Sequence, residues 1–397
     1  MERNRFVLRD EYFGGTLYDR KLLKHKFISK NQIDSGISVD GAEVETPEIW
    51  KGDIQNVPEG LLYSPTRIYF ELTRECNLRC SHCFNSSGNP MPNEMKTEEV
   101  MSCLEGLRKD NVFDMRFTGG ELTMRPDWFD VLKRAKDLGF SVSVNTNGVY
   151  KDFNKTIERF VSLDLDQITI SIDGNKNHHD SIRGRGTFDK SMQSLKALKE
   201  SGAKLRTNTV ITRLSVEDAE EIVSLVSPYV SEVAFFHMRM TGRAQEILEK
   251  AVTFEELHNF NIGMEEIKKK YPNIRMFFGE LAMIVNSTIN NKFGLRLGGP
   301  DGFTRFNILA DGSIWPGGYV PYIEPDLYLG NVKDENYRIV DIWRNSPKLN
   351  EFREWSGLLV ERCLICPEFG EKCPGVNVEM ELIRKNSPQT GNPYCIY

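Results

Sequence analysis

The stretch Glu75-Cys76-Asn77-Leu78-Arg79-Cys80-Ser81-His82-Cys83-Phe84 governs the reading of the whole chain. Its cysteines are spaced C-x3-C-x2-C, with no fourth cysteine close by. Three such thiolates can hold three irons of a 4Fe–4S cube and leave the fourth iron open. An open position is what separates a catalytic metal centre from a closed structural one. Zinc with His82 as fourth ligand is the competing reading. His82 lies between Cys80 and Cys83, where tetrahedral coordination of one ion is awkward, so iron–sulfur is favoured.

The remaining cysteines extend the pattern. The chain has eight in 397 residues, too few for a disulfide scaffold. Cys363, Cys366, Cys373 and Cys395 form a second group near the C-terminus. Four thiolates close an iron–sulfur cluster fully, and C-x-x-C with two further cysteines equally suits a zinc ribbon. Spacing alone leaves both open. Cys103 shares a helical face with Val100, Leu104 and Leu107, the pattern of a buried small hydrophobe.

Composition bounds the function. Hydrophobic residues at 40% and charged residues at 27% are ordinary for a globular protein and exclude disordered and collagen-like chains. A formal charge of −6 argues against non-specific nucleic-acid binding. No apolar run approaches the ~18 residues of a membrane span, and Met1-Glu2-Arg3-Asn4-Arg5 leads into no signal core. The expectation is a cytoplasmic protein with reduced thiols and neither nucleic-acid nor membrane partners.

Outward from the cysteine stretch, a regular alternation begins at Arg67. Strand patterns at Arg67–Thr73, Phe113–Thr118, Ser141–Thr146, Gln167–Asp173, Lys204–Ile211 and Glu232–Met238 alternate with amphipathic helical patterns. The helical segments are Thr97–Arg108, Pro126–Leu138, Asn154–Ser162, Phe188–Ser201 and Ser215–Val226. Six βα units predict an α/β fold, a partial (β/α)6 TIM-like barrel over 61–245. Residues 1–60 read as an N-terminal hairpin extension, basic around Lys21, Lys24 and Lys26, followed by an acidic connector. Residues 246–300 read as a helical connector. Residues 301–397 read as a small α+β iron–sulfur domain, with an Asp311-Gly312 hairpin. Thr118-Gly119-Gly120-Glu121, Asn145-Thr146-Asn147-Gly148, Ser171-Ile172-Asp173-Gly174 and Thr241-Gly242-Arg243 all fall at or beyond strand carboxyl ends. Ligand groups gather there in parallel α/β folds, so one shared pocket is expected.

C-x3-C-x2-C after a first strand and Gly-Gly-Glu after a second resemble the radical S-adenosylmethionine (radical SAM) superfamily. The Asp-Gly hairpin, Leu329-Gly330-Asn331 and the terminal cysteines resemble a SPASM or twitch extension. Gly317 and Asn377 stand where a full SPASM pattern has cysteines, so two 4Fe–4S clusters are expected rather than three. Within the superfamily the chain looks most like maturases of ribosomally made peptides, which install thioether, carbon–carbon or epimerised centres.

The resemblance implies roles. Cys76, Cys80 and Cys83 would bind the cluster that chelates SAM, and Cys363, Cys366, Cys373 and Cys395 an auxiliary one. One-electron reduction would cleave SAM to a 5′-deoxyadenosyl radical that abstracts hydrogen from the substrate. Gly119 and Gly120 would admit the methionine part of SAM, and Glu121 would accept from its ammonium. Asn145 and Ser171 would contact ribose or carboxylate, and Arg183 would pair with the carboxylate. Asp173 is a candidate proton acceptor, and Cys103 a candidate hydrogen-atom donor. Implied partners are a precursor peptide and an electron donor such as flavodoxin or ferredoxin. The competing functions are maturation of a small cofactor or haem precursor, and non-catalytic electron transfer. Gly119-Gly120-Glu121 and Arg183 count against the last, since a passive cluster needs no cosubstrate pocket.

Overall fold

The computed structural model describes residues 3–39, 42–44, 46–278, 293–296 and 299–355. Cys363, Cys366, Cys373 and Cys395, and the expectations attached to them and to Asn377, lie outside the described residues. The N-terminal part contains β1 (Phe6–Glu11), β2 (Gly14–Asp19), β3 (Lys24–Ser29), a two-residue pair β4 (Ser38–Val39) and β5 (Ala42–Glu43), and β6 (Glu48–Trp50). The main sheet contains β7 (Arg67–Glu71), β8 (Asp114–Thr118), β9 (Ser141–Thr146), β10 (Gln167–Ser171), β11 (Leu205–Ile211) and β12 (Glu232–His237). It continues with β13 (Arg275–Phe277), β14 (Arg305–Ile308), β15 (Ser313–Trp315) and β16 (Gly330–Asn331).

The order in this sheet is β13-β12-β11-β10-β9-β8-β7-β14-β15-β16. Pairing is parallel from β13 through β14 and antiparallel at β14–β15 and β15–β16. It is a curved α/β sheet that does not close. Two features depart from the sequence reading. The connector contributes a parallel strand, β13, and the C-terminal hairpin is no separate sheet but joins the barrel edge through β14.

Period-two alternation explains the wall. Ile68, Phe70, Met115, Phe117, Val142, Val144, Ile168 and Ile170 are buried beneath the helices. Each contributes roughly 1.5–3 kcal/mol by leaving water. Their neighbours, among them Tyr69, Arg116, Asn145 and Ser171, turn into the barrel. The helices cover the apolar side: Thr97–Lys109 buries Val100, Cys103, Leu104 and Leu107. The helix predicted over Ser215–Val226 is two, Arg213–Glu217 and Ala219–Val226, broken at Asp218 (φ −93°, ψ 9°).

The extension is a four-stranded sheet, β3-β2-β1-β6, rather than a hairpin and connector, because Glu48–Trp50 returns alongside β1. It seals the N-terminal end of the barrel. Tyr18 and Trp50 stack on Phe113, with centroids at 5.1 and 5.2 Å. Arg9, fully buried, donates to Glu11 Oε1 (2.9 Å), Ser64 O (2.8 Å) and Asn111 O (3.0 Å).

Candidate active site

β7 ends at Glu71, and the chain then crosses the carboxyl end of the barrel as the cysteine loop. Its backbone is held from several sides. Gly120 N donates to Thr73 O and Glu121 N to Glu75 O, both at 2.8 Å. Cys76 N donates to Gly88 O (2.9 Å), and Ser81 N to Ile182 O (2.9 Å). Arg243 donates through Nε to Cys80 O (2.9 Å) and through Nη1 to Ser87 O (3.0 Å). A Cβ on Gly119 would lie 2.3 Å from Thr73 O, and one on Gly120 2.2 Å from Glu75 O. Both glycines line the cavity, but what requires them here is the close approach of the cysteine loop.

Cys76, Cys80 and Cys83 face one cavity of about 350 Å³. Burial pushes the Cys76 thiol up to about 11 and raises Cys80 as well, so a metal must displace their protons to bind. Leu78 N (3.4 Å) and Asn147 Nδ2 (3.9 Å) point at the Cys76 sulfur, and Arg183 Nη1 (4.0 Å) at Cys80. Among the described residues no three His, Cys, Asp or Glu side chains are grouped to hold a single metal ion. A tetrahedral zinc would draw its sulfurs to ~3.8 Å from one another, given Zn–S bonds of ~2.3 Å. Three thiols on one cavity wall suit a polynuclear cluster, in which each sulfur takes a different iron. His82 also lines the cavity; its Nε2 lies 2.8 Å from Asp173 Oδ2, and its Nδ1 has no hydrogen-bond partner among the described residues.

Asp173, Arg183 and His82 form a buried network. Asp173 Oδ2 accepts from Arg183 Nε at 2.5 Å, and Oδ1 from Val210 N at 3.0 Å. Burial alone would raise the Asp173 carboxyl, but Arg183 and then His82 hold it well below the carboxylate range. Asp173 does not line the cavity. Asp173 is placed as a buried counter-ion to Arg183, which does line it.

Two further candidates lie off the cavity wall. Glu121 is fully buried and is not on the cavity wall. Its carboxylate accepts from Asn147 N (2.8 Å), Thr146 Oγ1 (2.9 Å) and Thr123 Oγ1 (2.8 Å), tying the loops after β8 and β9 together. Cys103 is fully buried under Leu104 and Leu107, remote from the cavity lining, and burial raises its thiol. It packs as a core residue. Asn145 and Ser171 do line the cavity. The sequence reading passed over Asn147, which reaches Asn77 Oδ1 at 2.9 Å, and the inward-facing Tyr69, Arg116, Arg206 and Arg305. The alternation within each strand carried that signal.

Residues 70–226 match the radical SAM superfamily, and residues 300–367 match SPASM, an iron–sulfur cluster-binding domain. The chain carries a radical SAM domain followed by a SPASM domain. The first binds a 4Fe–4S cluster and SAM, and the second an auxiliary cluster. Mycofactocin maturase MftC of Mycobacterium tuberculosis is 33% identical over 188 residues, 47% of this chain. The match spans about half of that relative, 48% of its length. AdoMet-dependent heme synthase of Methanosarcina barkeri is 26% identical over 350 residues, 84% of this chain and 97% of the relative. The crystal structure of Streptococcus suis SuiB bound to S-adenosylmethionine superposes with a TM-score of 0.74 over 99% of this chain and 97% of that one. At 17% identity this likeness concerns the fold. SuiB is also known bound to its precursor peptide SuiA.

Proposed function

We propose that this radical SAM protein is a peptide maturase, modifying a ribosomally made precursor through hydrogen abstraction. The observation that carries the reading is the convergence of Cys76, Cys80, Cys83, the Gly119-Gly120 strip and Arg183 on one cavity at the carboxyl end of the barrel. A 4Fe–4S cluster with SAM supplies, on one-electron reduction, a 5′-deoxyadenosyl radical. The chain's own residues do the rest. Arg183, oriented by Asp173, offers its guanidinium to the SAM carboxylate. Asn145 and Ser171 present polar groups to the ribose side, and the loop from Cys76 to Cys83 with Phe84 shields the site from water. A reductant such as flavodoxin or ferredoxin delivers the electron. The similarity to mycofactocin maturase and to the peptide-bound SuiB fold supports a peptide substrate.

The near full-length match to a heme synthase favours a second reading, a haem precursor in the same cavity. The test begins with anaerobically reconstituted protein, dithionite and SAM. Wild type forms 5′-deoxyadenosine and Cys76→Ala does not; its absence from wild type overturns the proposal. A short peptide encoded beside the gene then undergoes a mass change, whereas a mass change confined to an iron porphyrin bearing propionates selects the second reading.

A further inference from the structure

We propose that the middle of the barrel is a carboxylate-binding site, in which Arg116, Arg206 and Arg305 surround Tyr69 and receive an acidic group of the substrate. The inference rests on the proposed function for the existence of a substrate, and adds its chemical class. These residues line both the catalytic cavity and a smaller pocket of about 70 Å³ toward the N-terminal end of the barrel. They therefore form the floor beneath the cysteine loop.

Charge on the cavity wall is lopsided. Six arginines line it, with Glu71 as the carboxylate among the described residues. Glu71 is already paired with Arg74 at 3.1 Å. Arg183 is matched by Asp173, and Arg243 is taken up by backbone carbonyls. Arg305 is held by Asp301 at 2.7 and 2.8 Å. Arg116 differs. It is 7% exposed, yet its guanidinium donates no hydrogen bond among the described residues, and Nε is buried without a partner. Asp114 lies 3.7 Å away and already receives Arg67 Nε at 2.5 Å. Arg206 donates to Asn208 Oδ1 at 3.0 Å, and Glu232, 4.0 Å away, is shared with Arg275.

A guanidinium whose buried Nε finds no acceptor is costly unless something accepts from it. A planar carboxylate is the natural acceptor for that fork. Tyr69 registers the excess of positive charge. Burial alone would raise its hydroxyl, yet Arg116, Arg305, Arg67 and Arg206 bring it down to about 8. Bound SAM does not account for the floor, since its one carboxylate falls to Arg183 and its other charged groups are cations.

The test uses the reconstituted, SAM-loaded protein and calorimetric titration with small probes. N-acetyl-glutamate α-amide carries a side-chain carboxylate, and N-acetyl-tyrosine a terminal one. N-acetyl-glutamine amide and N-acetyl-tyrosinamide carry neither. At least one acid should bind about tenfold or more tighter than its amide, and which acid it is separates a side-chain from a C-terminal carboxylate. Arg116→Gln and Arg206→Gln should each erase the difference. Arg116→Met should unfold at the wild-type temperature or above, because it removes a buried charge whose nearest carboxylate, Asp114 at 3.7 Å, keeps its hydrogen bond from Arg67. Acids and amides binding alike, or a fall of several degrees in Arg116→Met, would overturn the site. Formation of 5′-deoxyadenosine by wild type is measured separately; its failure counts against the proposed function, while the probe comparison still decides the carboxylate site.

Discussion

Replacing Asp173 with Asn distinguishes a locked counter-ion from a catalytic base. The carboxylate accepts from Arg183 Nε at 2.5 Å, His82 Nε2 at 2.8 Å and Val210 N at 3.0 Å. The side chains of Arg183 and Asp173 are 10% and 1% exposed, so water screens little. Removing one partner of a buried pair costs ~3–5 kcal/mol, because the other charge stays behind. The Asn carbonyl still accepts one hydrogen bond, which places the loss near the lower end, ~3 kcal/mol. At ~2–4 °C per kcal/mol for a domain of this size, Tm falls by about 6–12 °C. The pH dependence has a definite sign. The folded-state acidity is displaced downward, so the contribution is fully present above the unfolded value of ~3.9 and is lost as pH falls through the folded one. The gap between wild type and variant should stay level from pH 8 to pH 5 and close only in stronger acid. Anaerobic thermal unfolding followed by circular dichroism at several pH values measures it, with SAM affinity falling in parallel as Arg183 loses its orientation. Were the variant to keep wild-type Tm and SAM affinity while losing product alone, Asp173 would be a base and the counter-ion assignment would be wrong.

Other perturbations separate the remaining assignments. Gly120→Ala drives a methyl to within 2.2 Å of Glu75 O; displacement of the cysteine loop should cost ~1–3 kcal/mol and lower iron retention at the N-terminal site, read by iron analysis and visible absorbance. Cys103→Ala should keep both SAM cleavage and product while losing ~1 kcal/mol of stability in denaturant unfolding, since the thiol is only a packed core group. Iron and sulfide analysis after reconstitution should give about eight irons per chain and about four in Cys363→Ala; about twelve in wild type would mean a third cluster. Charge reversal at Lys21 and Lys26 should leave peptide affinity unchanged in a binding titration, because the turn before β3 lies at the barrel end remote from the cysteine loop; Lys24, which lines the small pocket beneath the arginine floor, is kept.

Much of the barrel was legible because each strand writes its own two-residue period and each helix its apolar stripe. Ser141–Thr146 is found as read, and the strand read at Gln167–Asp173 ends two residues sooner, at Ser171. Local patterns carry no information about what packs against them, and this is where the reading fell short. Three residues, Arg275–Phe277, make too short a run to stand out, and they become a strand only because β12 offers a free edge. Trp50 gives no sign in sequence that it will stack on Phe113 and close the barrel from below. Gly119 and Gly120 were legible as a tight approach, but the approaching partner, the backbone of Thr73–Glu75, was not. Glu121 was read as functional from the Gly-Gly-Glu resemblance and Asp173 from its place after a strand's carboxyl end, and neither reading showed what holds the carboxylate. Which way a carboxylate turns depends on donors as distant as Arg183 and Asn147.

The barrel also supplies its own standard for what a structural arginine looks like. Arg9 meets Glu11 at 2.8 Å, Arg67 meets Asp114 at 2.5 Å, and Arg275 meets Glu232 at 3.1 Å. Arg9 and Arg67 lie in the sealed end, where the extension excludes water and an uncompensated charge would be expensive, and the partly exposed Arg275 lies beside it. One layer higher, on the strand beside Tyr69, Arg116 makes only a loose contact of 3.7 Å with Asp114, already held by Arg67, and Ser143 lies opposite it on β9, where a carboxylate would offer a closer match. Two neighbouring layers of one sheet thus treat the same residue type in opposite ways. Stability explains the lower layer. The upper layer runs against stability, and a chain that neutralises its arginines below leaves Arg116 open where the cavity floor can bring an acid to it.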